Sequence, residues 1–93
     1  MFVGTARAEF HIPGSGSLKA KRSVIQGLKQ RIAARYSVSV AEVDFQDLWQ
    51  RAALGVAVVS GDKHQVDQVL AGVMRLCENE ERAILTDFAV EVR

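Results

Sequence analysis

The chain has 93 residues, room for a single domain over 1–93, and at that length only about 60–65% of the extended surface can be buried. Hydrophobic residues make up 48% and charged residues 25%, with 7 Gly and 1 Pro, which excludes disordered, collagen-like and low-complexity classes. A net charge of +1 gives the whole molecule no strong pull toward polyanions, while one cysteine, Cys77, and two histidines, His11 and His64, exclude an internal disulfide and offer no metal-ligand cluster.

Phe2, Ala6, Ala8, Phe10 and Ile12 alternate with Val3, Thr5, Arg7, Glu9 and His11, the period of a half-buried strand, which Pro13-Gly14-Ser15-Gly16 ends. Arg7 and Glu9 also interrupt this segment before it could span a membrane, so a soluble, cytoplasmic protein is expected. From Leu18 the period changes. Leu18, Val24, Ile25, Leu28, Ile32 and Tyr36 fall on one stripe of a helix over 18–36, with Ser17 or Ser15 as N-cap.

Val38, Val40, Val43 and Phe45 predict a second strand, with a parity break near Ala41-Glu42 that signals a bulge or bend. After a polar connection from Gln46 to Arg51, the apolar run Leu54 to Val59 reads as a strand covered on both faces. Asp62, with Gln65 three places on, has capping-box spacing, and Val66, Val69, Leu70, Val73 and Cys77 follow at helical intervals. Ile84, Thr86, Phe88, Val90 and Val92 then alternate as a last, edge-like strand.

The order βαββαβ predicts an α+β, ferredoxin-like sandwich, with a four-stranded antiparallel sheet of order 4-1-3-2 and both helices on one face. In that topology residues 13–22, 46–51 and 79–82 share one end of the sheet.

Divided along the chain, the net charge changes meaning. Phe10 through Ala41 contains no acid but six cations, Lys19, Lys21, Arg22, Lys29, Arg31 and Arg35, and the rest of the chain sums to −5. A charged helix face is ordinarily a solvated surface. Here, however, Lys19, Lys21 and Arg22 occupy the first turn, where the helix dipole disfavours positive charge by up to about 1 kcal/mol each. With Ser17 and the free N–H groups of a helix start behind Gly14 and Gly16, they suggest an anion site suited to phosphate. The spacing matches neither GxxxxGK[ST] nor GxGxxG, so nucleotide hydrolysis is not indicated. Lys21 also falls near the apolar stripe, which is expected either if it lies over an edge of the sheet or if the regular helix begins later. In the hairpin, Trp49 either closes the end of the core or, beside Arg51, Gln46 and Gln50, offers an aromatic for stacking; Asp47 is positioned to hold Lys21 or Arg22.

Ser17-Leu18-Lys19-Ala20-Lys21-Arg22, Val38-Ser39-Val40-Ala41-Glu42-Val43 and Gln46-Asp47-Leu48-Trp49-Gln50-Arg51, followed by Gly55-Val56-Ala57-Val58-Val59-Ser60, resemble the small bacterial YlxP-like family over nearly the whole chain. The resemblance implies a ferredoxin-like fold. Genes of that family often lie near those for transcription-termination, translation-initiation and ribosome-maturation factors, which implies ribosomal RNA or the ribosome as partner. The shared positions carried over are Ser17, Leu18, Lys19, Lys21, Arg22, Glu42, Gln46, Asp47, Trp49, Gln50 and Arg51, whereas the glycine-rich loop is particular to this chain.

Three functional classes follow. The first is a non-catalytic RNA-binding or ribosome-associated factor without cofactor, contacting phosphate through Ser17 and the six cations, with Gln46, Asp47, Trp49, Gln50 and Arg51 as hairpin contacts. The second is an interaction module, including a homodimer through the open sheet face, where Val3, Thr5, Ala53, Gly55, Ala57, Val59, Leu85 and Ala89 would surround Arg7, Glu9 and Asp87. The third, an anion-binding enzyme resembling acylphosphatase in fold only, lacks support: the one asparagine, Asn79, lies far along helix two among acids, and no nucleophile motif is present.

Overall fold

The computed structural model describes residues 1–93, and the opening alternation becomes β1 (Phe2–His11). Ala6, Ala8 and Phe10 face the helices and are buried, while Thr5 and His11 are exposed on the other side. Ser17 caps α1 (Leu18–Arg35), its Oγ accepting from the backbone N–H of Ala20 at 3.1 Å. The hairpin of β2 (Ser39–Asp44) and β3 (Arg51–Ser60) follows, then α2 (Lys63–Glu78) and β4 (Ile84–Val92). Asp62 caps α2 by accepting from His64 N–H at 3.0 Å; Gln65 does not reciprocate, so only half of the expected box forms.

Every strand pair is antiparallel, and the sheet order β2-β3-β1-β4 is the expected 4-1-3-2 read from the other edge. The architecture is a ferredoxin-like α+β sandwich. Ile25, Leu28 and Ile32 of α1 and Val66, Leu70, Val73 and Cys77 of α2 pack on Ala6, Ala8, Phe10, Leu54, Val56 and Val58, so both helices cover the same face. Burial pushes the Cys77 thiol up to about 11, as befits a small apolar filler rather than a nucleophile. No helix is long and apolar enough to cross a membrane.

Two glycines let backbone serve as packing surface. A Cβ on Gly4 would stand 2.3 Å from Val66 Cγ1 and 2.9 Å from Leu70 Cδ1, and one on Gly72 would stand 2.3 Å from Tyr36 Oη. These absences set how closely α2 lies on β1 and on the end of α1.

The structure departs from the sequence pattern in three places. β3 begins at Arg51 and beyond Ala53, which is buried on the open-face side, is covered on one face only: Leu54, Val56 and Val58 are buried, whereas Val59 is 62% exposed. A run of valines is compatible with either arrangement when the outer positions are small or β-branched. The break in β2 falls between Glu42 and Asp44, so Val43 is the extra residue, slightly beyond the expected point. A second irregularity, between Glu9 and Phe10 of β1, shifts the parity of β4 at Thr86, whose Oγ1 donates to the Glu9 carbonyl at 3.1 Å. Leu85 therefore pairs with Phe10 and packs on the core, not on the open face.

Gly4→Ala should lose about 1–3 kcal/mol in urea unfolding through overpacking against Val66 and Leu70. Gly61→Ala, with nothing within 4 Å of the new Cβ, should stay within about 0.5 kcal/mol of the parent.

Candidate functional site

Three segments distant in sequence meet at one end of the sheet. Gln50 fastens the hairpin to the β1–α1 loop: its carbonyl accepts from Ile12 N–H at 2.9 Å, and its Nε2 donates to the Ser15 carbonyl at 3.4 Å. The loop before α1, the first turns of that helix and the α2–β4 loop enclose a cavity of about 320 Å³, lined in part by Pro13, Ser15, Ala20, Val24, Glu81 and Arg82. Ser15, 4% exposed, turns its hydroxyl to the Ser17 carbonyl and is part of the loop's internal bonding. Gly14 and Gly16 have ordinary backbone angles in open space, so the loop does not need them to turn.

Lys21 is the chief correction to the phosphate site read from sequence. It is fully buried, its Nζ 2.9 Å from Glu42 Oε2 and donating to the carbonyls of Phe45 at 2.5 Å and Gln46 at 3.4 Å. The contact with Oε2 is an ion pair off the hydrogen-bond angle, and that buried oxygen has no hydrogen-bond donor of its own. An ammonium so enclosed has nothing left for a phosphate. Glu42, not Asp47, is the acid that holds it, and Asp47 makes no ion pair at all. The N-cap hydroxyl of Ser17 is likewise committed, to Ala20.

The carbonyls that Lys21 reaches are turned inward because Phe45 adopts φ 61°, a left-handed conformation that costs a non-glycine residue about 1–2 kcal/mol. Asp44 Oδ1 accepts from Phe45 N–H at 2.8 Å, and the Phe45 carbonyl also accepts from Leu48 N–H at 3.0 Å, so neighbours on both sides hold the conformation. Its ring lies on the open face of the sheet, 3.9 Å below the Arg51 guanidinium and 5.8 Å from that of Arg7. Arg7 bonds Asp44 at 3.0 Å, Arg51 bonds Glu9 at 3.1 Å, and Glu9 also pairs with Arg7. The Phe45 N–H first, and the Arg7 guanidinium second, hold the Asp44 carboxyl below the usual carboxylate range; the Asp44 hydrogen bond raises Arg7 in turn. Arg51, read as a free hairpin contact, is therefore occupied.

Of the remaining cations read on α1, Arg31 is bonded to Glu80, which also receives Arg82 Nε at 3.4 Å and ties the helix to the α2–β4 loop. Lys19, Arg22, Lys29 and Arg35 have no acidic partner. Among all 12 Lys and Arg of the chain only five are unpaired, and Arg75 is the one that lies off α1. Lys19, Arg22 and Lys29 stand at i, i+3 and i+10, within about 80° on a helix of 3.6 residues per turn, and span about 15 Å.

Trp49 does not close the core. It is 53% exposed beside Leu48, His11, Gln50 and Arg51, in a groove on the open-face side of the sheet end, opposite to α1. The helix start and the hairpin aromatic thus share an end but not a surface. Gln46 is exposed on the hairpin and gives its carbonyl to Lys21. Phe45, Arg7, Glu9 and Asp44, which organise this end, were not among the site residues that sequence reasoning singles out. The positive φ of Phe45 leaves no compositional trace, and the ion pairs depend on register.

A ferredoxin-like sandwich carrying a line of unpaired cations on its first helix is the class that fold and site define. The chain belongs to the DUF503 family: the model described as "Protein of unknown function (DUF503)" matches residues 3–90. It is 35% identical over 77 residues to "Uncharacterized protein YlxP" of Bacillus subtilis (strain 168), an alignment covering 83% of this chain and 84% of that protein. A de novo designed protein with ferredoxin fold, solved by solution NMR, superposes over 100% of this chain and 84% of its own with a TM-score of 0.56 at 6% identity, which speaks to the fold alone.

Removing the Lys21 ammonium should leave Glu42 facing a low-dielectric pocket, and Lys21→Met should cost about 3 kcal/mol in urea melts, whereas Lys19→Ala should cost less than about 0.5 kcal/mol. Lys21→Met with Glu42→Leu should recover most of that loss. In an NMR titration Asp44 should ionise below the ordinary aspartate value, and Arg7→Ala should move it up. Because the folded state depresses this pKa, its stabilisation is present above the unfolded value near 4 and disappears as pH falls through the folded one.

Proposed function

We propose that this protein is a non-catalytic accessory factor of the cytoplasm that binds structured RNA, ribosomal RNA in the first place, through the backbone phosphates. The observation that carries the reading is the distribution of unpaired charge: four of the five cations without an acidic partner lie on α1, and no acid interrupts the chain from Phe10 to Ala41. Elsewhere on the molecule every cation but Arg75 is neutralised locally, by Glu9, Asp44, Glu80, Asp67 and Glu91. Leaving Lys19 and Arg22 unpaired in a first turn works against the helix dipole, a cost that an anionic partner reverses.

The contact is to phosphate and not to bases. The open face carries no pair of exposed aromatics at the centre of β1 and β3, where Thr5, Arg7, Gly55 and Ala57 stand instead, so base stacking in the manner of sheet-type RNA-recognition domains is not offered. Binding of this kind is tolerant of sequence, sensitive to RNA shape and strongly dependent on salt. Because Trp49 lies across the sheet from α1, it stays outside the contact.

Affinity for a ribosomal RNA fragment should fall linearly with salt on a log–log plot, and each lost contact should reduce the slope by roughly 0.7–0.9. The variant carrying Lys19→Ala, Arg22→Ala, Lys29→Ala and Arg35→Ala should bind weakly with a flattened slope, while Trp49→Ala keeps the parental slope. Equal affinity and slope for the parent and the quadruple variant would show that the helix is only a solvated surface.

A further inference from the structure

The sheet face turned away from the helices is built as an interface. On it lie Thr5, Ala41, Val43, Gly55, Ala57, Val59 and Ala89, small or branched apolar residues apart from one threonine, with Val59 62% and Val43 47% exposed. The bulge between Glu42 and Asp44 gives this face relief. It swings Val43 inward over Gly55, where a Cβ would stand 2.8 Å from Val43 Cγ1, so the valine becomes a ridge and the glycine is its seat. Two shallow grooves flank the ridge. One, of about 340 Å³, runs past Ser39, Ala41 and Ala57; the other, of about 390 Å³, runs past Arg7, Ala89 and Glu91.

We infer that this face is covered by the same face of a second copy of the chain, the Val43 ridge of each seated in a groove of the other. Extent selects the occupant. Three strands of 9–10 residues and an edge strand of 6, rising about 3.3 Å each and spaced about 4.8 Å, form a face on the order of 30 by 19 Å that narrows at β2. A partner helix, about 10–12 Å across, would cover little more than half that width. A twisted sheet of equal size covers all of it, at the usual separation of about 10 Å and crossing angle near 30°. The footprint, on the order of 500 Å² before side-chain relief is counted, sits near the roughly 600 Å² per partner at the low end of stable complexes. A ridge beside a groove on one surface is self-complementary under a two-fold axis, as an isologous contact requires.

Charge selects against other occupants. The cations of this face, Arg7, Arg51 and Arg93, are already paired with Glu9, Asp44 and Glu91, and Asp87 adds negative charge, so a polyanion finds no unpaired cation here. Along β3 the outward residues Gly55, Ala57 and Val59 have Arg51 as the only charged residue of their strand. Pairing through the sheet leaves α1 outward on both copies, so the contact stands or falls independently of RNA binding.

Sedimentation equilibrium and light scattering between about 1 and 200 µM should give twice the 10.2 kDa chain mass. Ala57→Glu and, separately, Val59→Glu place a carboxylate at exposed positions of the face, the second toward the end of β3, and circular dichroism should show an unchanged fold. Each should weaken association at least a hundredfold while RNA affinity per chain persists. A 10.2 kDa species over the whole range overturns the inference, as does a dimer that both folded variants form as readily as the parent.

Discussion

A lysine ammonium placed inside the molecule governs the end of the sheet where the three loops meet. Lys21 leaves the first turn of α1 pointing inward, and from there its charge demands an anion and its protons demand acceptors. Glu42 of β2 supplies the first, and the carbonyls of Phe45 and Gln46 supply the second. To present those carbonyls the hairpin enters through a left-handed Phe45, and that turn sends the ring to the opposite side of the sheet, under Arg51. One buried cation thus ties the start of α1 to the edge strand and fixes the hairpin from which Leu48 and Trp49 project.

The same arrangement divides the basic residues by task. Lys21 and Arg31 are spent on holding α1 to β2 and to the α2–β4 loop, and Arg7 and Arg51 hold the open face together. What remains is a line of cations on one helix that the fold does not use. A protein stabilised only for its own sake would have matched Lys19 and Arg22 with acids in the first turn. The two surfaces that result differ in kind: a helix with unpaired cations suited to phosphate, and a ridged sheet whose cations are internally paired, suited to a copy of itself.

Much of the fold was legible because it follows from period alone. Alternation in Phe2–Ile12, the helical stripe through Ile25, Leu28 and Ile32, and the second stripe from Val66 to Cys77 specify βαββαβ, and the topology then brings residues 13–22, 46–51 and 79–82 together. What period could not show was parity across irregularities. One extra residue at Val43 and another at Thr86 reassign the side chains beyond them, which moved Leu85 from the open face to the core. The candidate site was legible in outline and misread in detail. Lys21 sits on the apolar stripe of α1, at the same angle as Leu28 and Ile32, and that position was the signal that it is not a surface cation. Nothing in the order of residues shows that Phe45 turns left-handed, or that Arg51 stacks on it.

Lys19 and Lys21, two residues apart, divide two tasks, and amine acetylation under native conditions, read residue by residue by mass spectrometry with and without RNA, separates them. The expected result is fast labelling of Lys19 and Lys29 in the free protein, protection of both by RNA, and no labelling of Lys21 in either state. Labelling of Lys21 as fast as Lys19, or RNA that shields neither surface lysine, would contradict it.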